Sequence, residues 1–200
     1  MKKVFALLLA FLIFGAVLSS CGREDLTEEQ VIEIVGPLVQ KSYEVNDIFF
    51  GAGLPHEEDR AEEDDTQYDV APVRYLTVIS DKYNSVSSLK EAALEVYTES
   101  YMESVFERIF NGVATENGEI IEYPRYYESL AENLKIRAGV EEESIVAGRK
   151  YDVTTLKITS QTDEYVLFTL ESFIDGEPEM TVDLSIKDEG NGWRLDSPTY

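Results

Sequence analysis

The sequence predicts an α+β fold, with N-terminal helices packed against a C-terminal antiparallel β-meander, arranged as one core or as two lobes. Three observations carry this. Apolar residues recur every three or four positions through much of the first half. The last third alternates runs rich in Val, Ile, Thr, Tyr and Phe with short polar breaks. The chain is 44% hydrophobic and 11% aromatic, which supplies a core rather than a disordered tail.

The first helix opens at Thr27-Glu28-Glu29-Gln30, the spacing of a capping box, with Leu26 and Val31 placed to form a hydrophobic staple. Val31, Ile32, Val35, Leu38 and Val39 follow at helical intervals. Gly36-Pro37 inside this stripe predicts a kink or a split, because proline removes a backbone donor. The helix is expected to reach about Ile48, before the break Gly51-Ala52-Gly53-Leu54-Pro55. Residues 56–67 (HEEDRAEEDDTQ) form a charge run whose self-repulsion predicts a mobile surface loop. Residues 68–80 suggest a strand, with Pro72 placing it at an edge or a bulge. Ser88 with Glu91 repeats the capping-box spacing and opens a second helix through Leu89, Ala92, Ala93, Val96 and Tyr97. Thr98 caps a third, carried by Tyr101, Met102, Val105, Phe106, Ile109 and Phe110 and stopped by Asn111-Gly112.

Residues 113–144 give a weaker pattern. Ile120 and Ile121 suggest a short strand, and residues 126–138 a helix or an irregular segment. Residues 150–160, 165–174 and 180–187 then form the meander, separated by Gln161-Thr162-Asp163-Glu164 and Asp175-Gly176-Glu177-Pro178. In the third run Met180, Val182, Leu184 and Ile186 alternate with Thr181, Asp183, Ser185 and Lys187, which predicts one buried face and one wet face. Trp193, Arg194 and Leu195 follow a turn at residues 188–192.

The N-terminus carries a separate signal. Lys2 and Lys3 precede an apolar stretch at residues 4–18, too short to span a bilayer and of the length of a signal-peptide core. Leu18-Ser19-Ser20-Cys21-Gly22 resembles a bacterial lipoprotein cleavage box. The resemblance implies that residues 1–20 are a leader, that Cys21 becomes a diacylated N-terminus, that residues 21–26 are a lipidated tether, and that residues 27–200 form an extracytoplasmic domain. The expected location is the outer face of the cell membrane, held there by two or more acyl chains. Cys21 is the sole cysteine, so its acylation leaves no thiol for a disulfide, a nucleophile or a thiolate metal site.

The net charge is −23, and becomes −25 once Lys2 and Lys3 leave with the leader. That field opposes nucleic-acid binding and favours cationic partners. His56 is the only histidine, and an exposed loop residue is its better reading; a histidine zinc site would lack ligands. No phosphate-binding loop, dinucleotide fingerprint or nucleophile elbow is visible. Glu57-Glu58-Asp59 and Glu62-Glu63-Asp64-Asp65 lack the central glycine of a calcium loop and are contiguous rather than alternating. The expectation is a protein that is not an enzyme and holds no cofactor or metal.

Three segments together resemble the IseA-type family of peptidoglycan DL-endopeptidase inhibitors of Gram-positive bacteria. They are LTEEQVIEIVGPLVQKSYEVNDIFFGAGLP, YDVAPVRYLTVISDKYNSVSSLKEAALEVYTESYMESVF and the closing NGWRLDSPTY, and the resemblance covers residues 26–200. It implies a proteinaceous inhibitor that covers the catalytic cleft of papain-like cysteine endopeptidases of the cell wall and so restrains autolysis. Acidic loops are the expected partner-binding surface: Glu57, Glu58, Asp59, Glu62, Glu63, Asp64 and Asp65, then Asp163 and Glu164 at a hairpin tip. Such inhibitors are released, whereas Cys21 would tether this chain. The alternative is a lipoprotein that holds a small ligand or envelope component in a cleft of a helix-covered sheet.

Overall fold

The structure is a computed structural model that describes residues 25–57, 73–139 and 148–200. Cys21, residues 58–67 of the charge run and residues 68–72 of the expected strand, Pro72 included, lie outside the described residues.

Helix α1 (Glu28–Phe50) starts as its sequence demands. Thr27 Oγ1 accepts from the Gln30 backbone at 3.3 Å, and the Gln30 side chain accepts from the Thr27 N–H at 2.9 Å. The helix runs through Pro37 as one element, so the split that Gly36-Pro37 suggested does not occur. A proline inside a helix costs about 3 kcal/mol. Here the buried Val31 and Val35 on one side of it, and Leu38 and Val39 on the other, keep both halves on the same packed stripe.

The α1 C-terminus is closed by another part of the chain. The Arg125 guanidinium is buried and donates to the carbonyls of Ile48, at 3.1 Å, and Gly51. The Tyr126 hydroxyl donates to Ile48 O at 2.9 Å and accepts from Leu54 N at 3.0 Å. A cation at the negative end of a helix is favourable, and these bonds satisfy carbonyls the helix leaves open. Gly53 is required beneath them: its φ is +82°, and a Cβ there would lie 2.6 Å from Ile136 Cδ1.

Strand β1 (Tyr75–Thr77) is much shorter than the run at 68–80 suggested, and it is the edge of a small antiparallel sheet. Helix α2 (Val86–Leu94) begins three residues earlier than expected. Ser85 is its N-cap and Ser88 the reciprocal partner, so Ser88 closes a capping box instead of opening one. Helix α3 (Glu99–Phe106) is capped by Thr98 as predicted and ends in a π-helical turn, Glu107–Asn111, before Gly112.

Strands β2 (Val113–Ala114) and β3 (Ile120–Glu122) pair as an isolated hairpin. Residues 126–138 are a second hairpin, β4 (Tyr126–Glu128) and β5 (Leu134–Arg137), where a helix or irregular segment was expected. Tyr126 faces Ile136 across it, and β1 completes the sheet in the order β1-β5-β4.

The meander forms the larger sheet, in the order β6-β7-β8-β9: β6 (Arg149–Gln161), β7 (Tyr165–Ile174), β8 (Glu177–Asp188) and β9 (Trp193–Leu195). Asp175 and Gly176 have φ of 52° and 85°, the signature of a tight two-residue hairpin, so Glu177 and Pro178 belong to β8 and not to the turn. The expected alternation holds at Leu184 and Ile186. It fails at Met180, exposed near the turn of the hairpin, and at Ser185, which is buried where Asp196 and Ser197 pair with it. Val166, Phe168, Leu170, Ile186 and Leu195 are fully buried, and one contiguous cluster joins them to α1, α2 and the small sheet. The fold is α+β around one core.

Candidate functional site

The expected acidic residues fall in two separate places. Glu57 is exposed and lies beside β1: its N–H donates to Thr77 O at 2.9 Å, while Ile79 N donates to Pro55 O at 2.8 Å. The neighbouring His56 forms a single bridge to Val78, so this start of the charge run is pinned to the small sheet. Asp163 and Glu164 are exposed in the β6–β7 turn. Leu26 holds that end of the larger sheet to the start of α1, whereas Glu57 follows the far end of α1. The two groups are therefore not brought together. Glu58, Asp59, Glu62, Glu63, Asp64, Asp65 and Cys21 lie outside the described residues.

A groove of about 500 Å³ runs between the β4–β5 hairpin, the end of β1 and the start of α2, with Thr77, Asn84, Ser85, Glu128, Ser129 and Asn133 among its walls. Glu128 Oε1 accepts from the Val86 N–H at 3.2 Å, placing a carboxylate at the positive end of α2. Glu132 adopts φ 60° in the hairpin turn, where its N–H donates to Ser129 O at 2.9 Å. This turn presents Leu130, 87% exposed, and Ile79 next to Val78 is 57% exposed. The groove thus combines polar walls with two apolar side chains at its margin. Behind it, Tyr83 and Lys82 both donate to Glu44 Oε1 at 2.8 Å, and these bonds hold the Glu44 carboxyl below its ordinary pKa.

A second groove, of about 490 Å³, follows α2 and α3. Glu99, Glu103 and Glu107 line it at four-residue intervals, and Lys90 stands 5.4 Å from the Phe106 ring centroid and 5.3 Å from that of Phe110. Its acidic wall suits a basic surface. Among the described residues, no group of three or more His, Cys, Asp and Glu is arranged to hold a metal ion.

The polar cluster that organises the molecule is buried. Tyr97 OH donates to Asn46 Oδ1 at 2.8 Å and lies 2.7 Å from Thr199 Oγ1. Thr199 Oγ1 also accepts from Asn46 Nδ2 at 2.9 Å and donates to Ser42 Oγ at 2.8 Å. Burial pushes the Tyr97 hydroxyl up to about 12, against the lowering effect of these bonds. Sequence reasoning missed this cluster, because Ser42, Asn46 and Thr199 carry no local pattern that marks them as interior. It also missed Arg125, which as a lone cation suggests a surface residue. No protein-family model matches the chain, and no curated protein matches it at significant similarity.

Proposed function

We propose that the chain is an extracytoplasmic, membrane-tethered inhibitor of peptidoglycan DL-endopeptidases, which covers the cleft of a papain-like cysteine hydrolase and needs no catalytic group of its own. One observation carries this reading. The three segments behind the family resemblance converge in space: Ser42 and Asn46 come from the first, Tyr97 from the second and Thr199 from the third, and all four share one buried hydrogen-bond cluster. A resemblance scattered along the sequence thus corresponds to one physical unit.

The groove beside the β4–β5 hairpin is the surface best suited to the task. It offers a projecting Leu130, polar walls and the nearby Glu57. An apolar anchor within a polar rim is the usual anatomy of a recognition surface. The net charge, −23 and more negative still once Lys2 and Lys3 leave with the leader, would hasten encounter with a basic hydrolase. The alternative, a small ligand held beneath a helix-covered sheet, draws no support from the interface between α1 and the larger sheet. Val35, Val39, Phe168 and Leu170 fill it and are 0–2% exposed.

The test adds residues 22–200 to a purified papain-like DL-endopeptidase and follows clearing of peptidoglycan. Dose-dependent arrest near equal stoichiometry is expected. A folded protein without effect on several such enzymes would remove the inhibitor reading. Neutralising Glu57, Glu58, Asp59, Glu62, Glu63, Asp64 and Asp65 together is expected to slow association and flatten its salt dependence.

A further inference from the structure

Where the tether joins the domain decides which way the domain faces. Leu26 is gripped at both backbone groups by one side chain: its N–H donates to Gln161 Oε1 at 3.0 Å, and its carbonyl accepts from Gln161 Nε2 at 3.2 Å. Gln161 is the last residue of β6, at the β6–β7 turn. Two residues on, Glu28 Oε2 lies 3.0 Å from Lys157 Nζ, and further along α1 the Tyr43 hydroxyl accepts from Tyr151 N at 3.0 Å. Helix α1 therefore runs antiparallel along β6, away from that turn. Its 23 residues carry the chain roughly 35 Å. The β8–β9 turn sits at the same end as Gln161, because Asp188 N donates to Glu164 O at 2.9 Å.

We propose that this end of the larger sheet, made by the β6–β7 and β8–β9 turns, faces the lipid bilayer, with α1 rising from it and the small sheet held outward. The proposal rests on the reading of Cys21 as the lipidated residue. Four residues separate Cys21 from the fixed Leu26, so five residue steps give a slack of at most about 17 Å. That is half the length of α1, so the near end stays by the surface however the domain tilts, whereas nothing in the tether holds the far end there. The charge at the near end sets how it rests there. Asp163, Glu164, Glu28 and Glu189 outnumber Lys157 and Lys187, so anionic headgroups repel it and the domain stands on its tether without inserting. It follows that Asp163 and Glu164 point toward lipid, and that the partner-facing surface is the end bearing Glu57 and the β4–β5 groove.

The single tryptophan provides the probe. Trp193 pairs with Asp188 at the near end, whereas the exposed Ala52 lies just past the α1 C-terminus at the far end. The full-length chain, purified with its lipid from bacterial membranes, is placed in vesicles containing a dansyl-labelled headgroup lipid. Energy transfer from tryptophan is then measured for the wild type and for Ala52→Trp. Efficient transfer is expected in the wild type, falling to roughly half in Ala52→Trp, because the added tryptophan emits beyond reach of the acceptor. Undiminished fractional transfer in Ala52→Trp, or weak transfer in the wild type, overturns the orientation. Vesicle flotation separates the two premises, since a chain that does not float overturns the anchor itself. A headgroup nitroxide gives the same answer without substitution: the amides of residues 162–164 should broaden and those of His56 and Glu57 should not, and the reverse pattern sinks the proposal.

Discussion

The two sheets are joined to α1 by different chemistry. The larger sheet is held by area, with Val166, Phe168, Leu170 and Ile186 fully buried along strands of ten to thirteen residues. The small sheet has strands of three or four residues, puts Tyr126, Leu134 and Ile136 into the same core, and adds direction: Arg125 and Tyr126 reach the open carbonyls at the end of α1. Area is insensitive to small shifts, whereas a few oriented bonds break together. The difference teaches that the end proposed to meet a partner is also the end whose attachment can be loosened separately, as binding regions often are.

Substitutions at the two ends should separate these modes. Phe168→Ala removes a fully buried ring and is expected to cost about 3–5 kcal/mol in denaturant unfolding, lowering the whole molecule in one transition. Arg125→Met keeps the bulk but strands the carbonyls of Ile48 and Gly51; about 2–3 kcal/mol is expected. Hydrogen exchange distinguishes it, since β4 and β5 amides should speed up before those of β7 and β8. Equal acceleration in both sheets would dissolve the distinction.

The buried cluster adds an alkaline signature. The Tyr97 hydroxyl titrates near 12 in the folded chain against an ordinary 10.0. Its contribution is complete below pH 10 and is lost as pH rises toward 12, a loss of about 2–3 kcal/mol. Tyr97→Phe should cost about 1–2 kcal/mol at neutral pH and flatten this alkaline decline, read from urea midpoints across pH. The smallest effect is expected at Glu44→Gln. The carboxyl is held below its ordinary 4.5 by Lys82 and Tyr83, so its contribution is present above that value and fades as pH falls through the lowered one. Both ion-pair partners are more than half exposed, so solvent screens the pair and the midpoint should move only slightly, chiefly in acid. A large loss at neutral pH would mean that Glu44 braces the small sheet.

Legibility in the sequence followed the range of the forces. The Thr27–Gln30 capping box, the Thr98 cap and the β6–β8 meander are set by neighbours three or four residues away, or by strict alternation, and all were readable. Pro37 suggested a split that does not occur, because packing on both sides outweighs its local cost. Ser88 misled because two overlapping Ser-x-x-Ser/Glu spacings compete and only the fold selects Ser85. The hairpin at 126–137 was missed because its strands are short, and because Tyr126 and Tyr127 are buried together instead of alternating. Of the candidate site, Glu57, Asp163 and Glu164 were rightly expected at the surface, but their placement at opposite ends depends on how α1 lies along β6. The groove is assembled from three distant segments and has no local signature.

The closing of the buried cluster by Thr199 has a consequence for biogenesis. Thr199 meets Ser42 across 157 positions of sequence, and Asn46 across 153. Loop closure of that length must precede the contact, so the cluster cannot close until Thr199 has left the ribosome. Until then the chain stays open and threadable, which suits the export proposed for it.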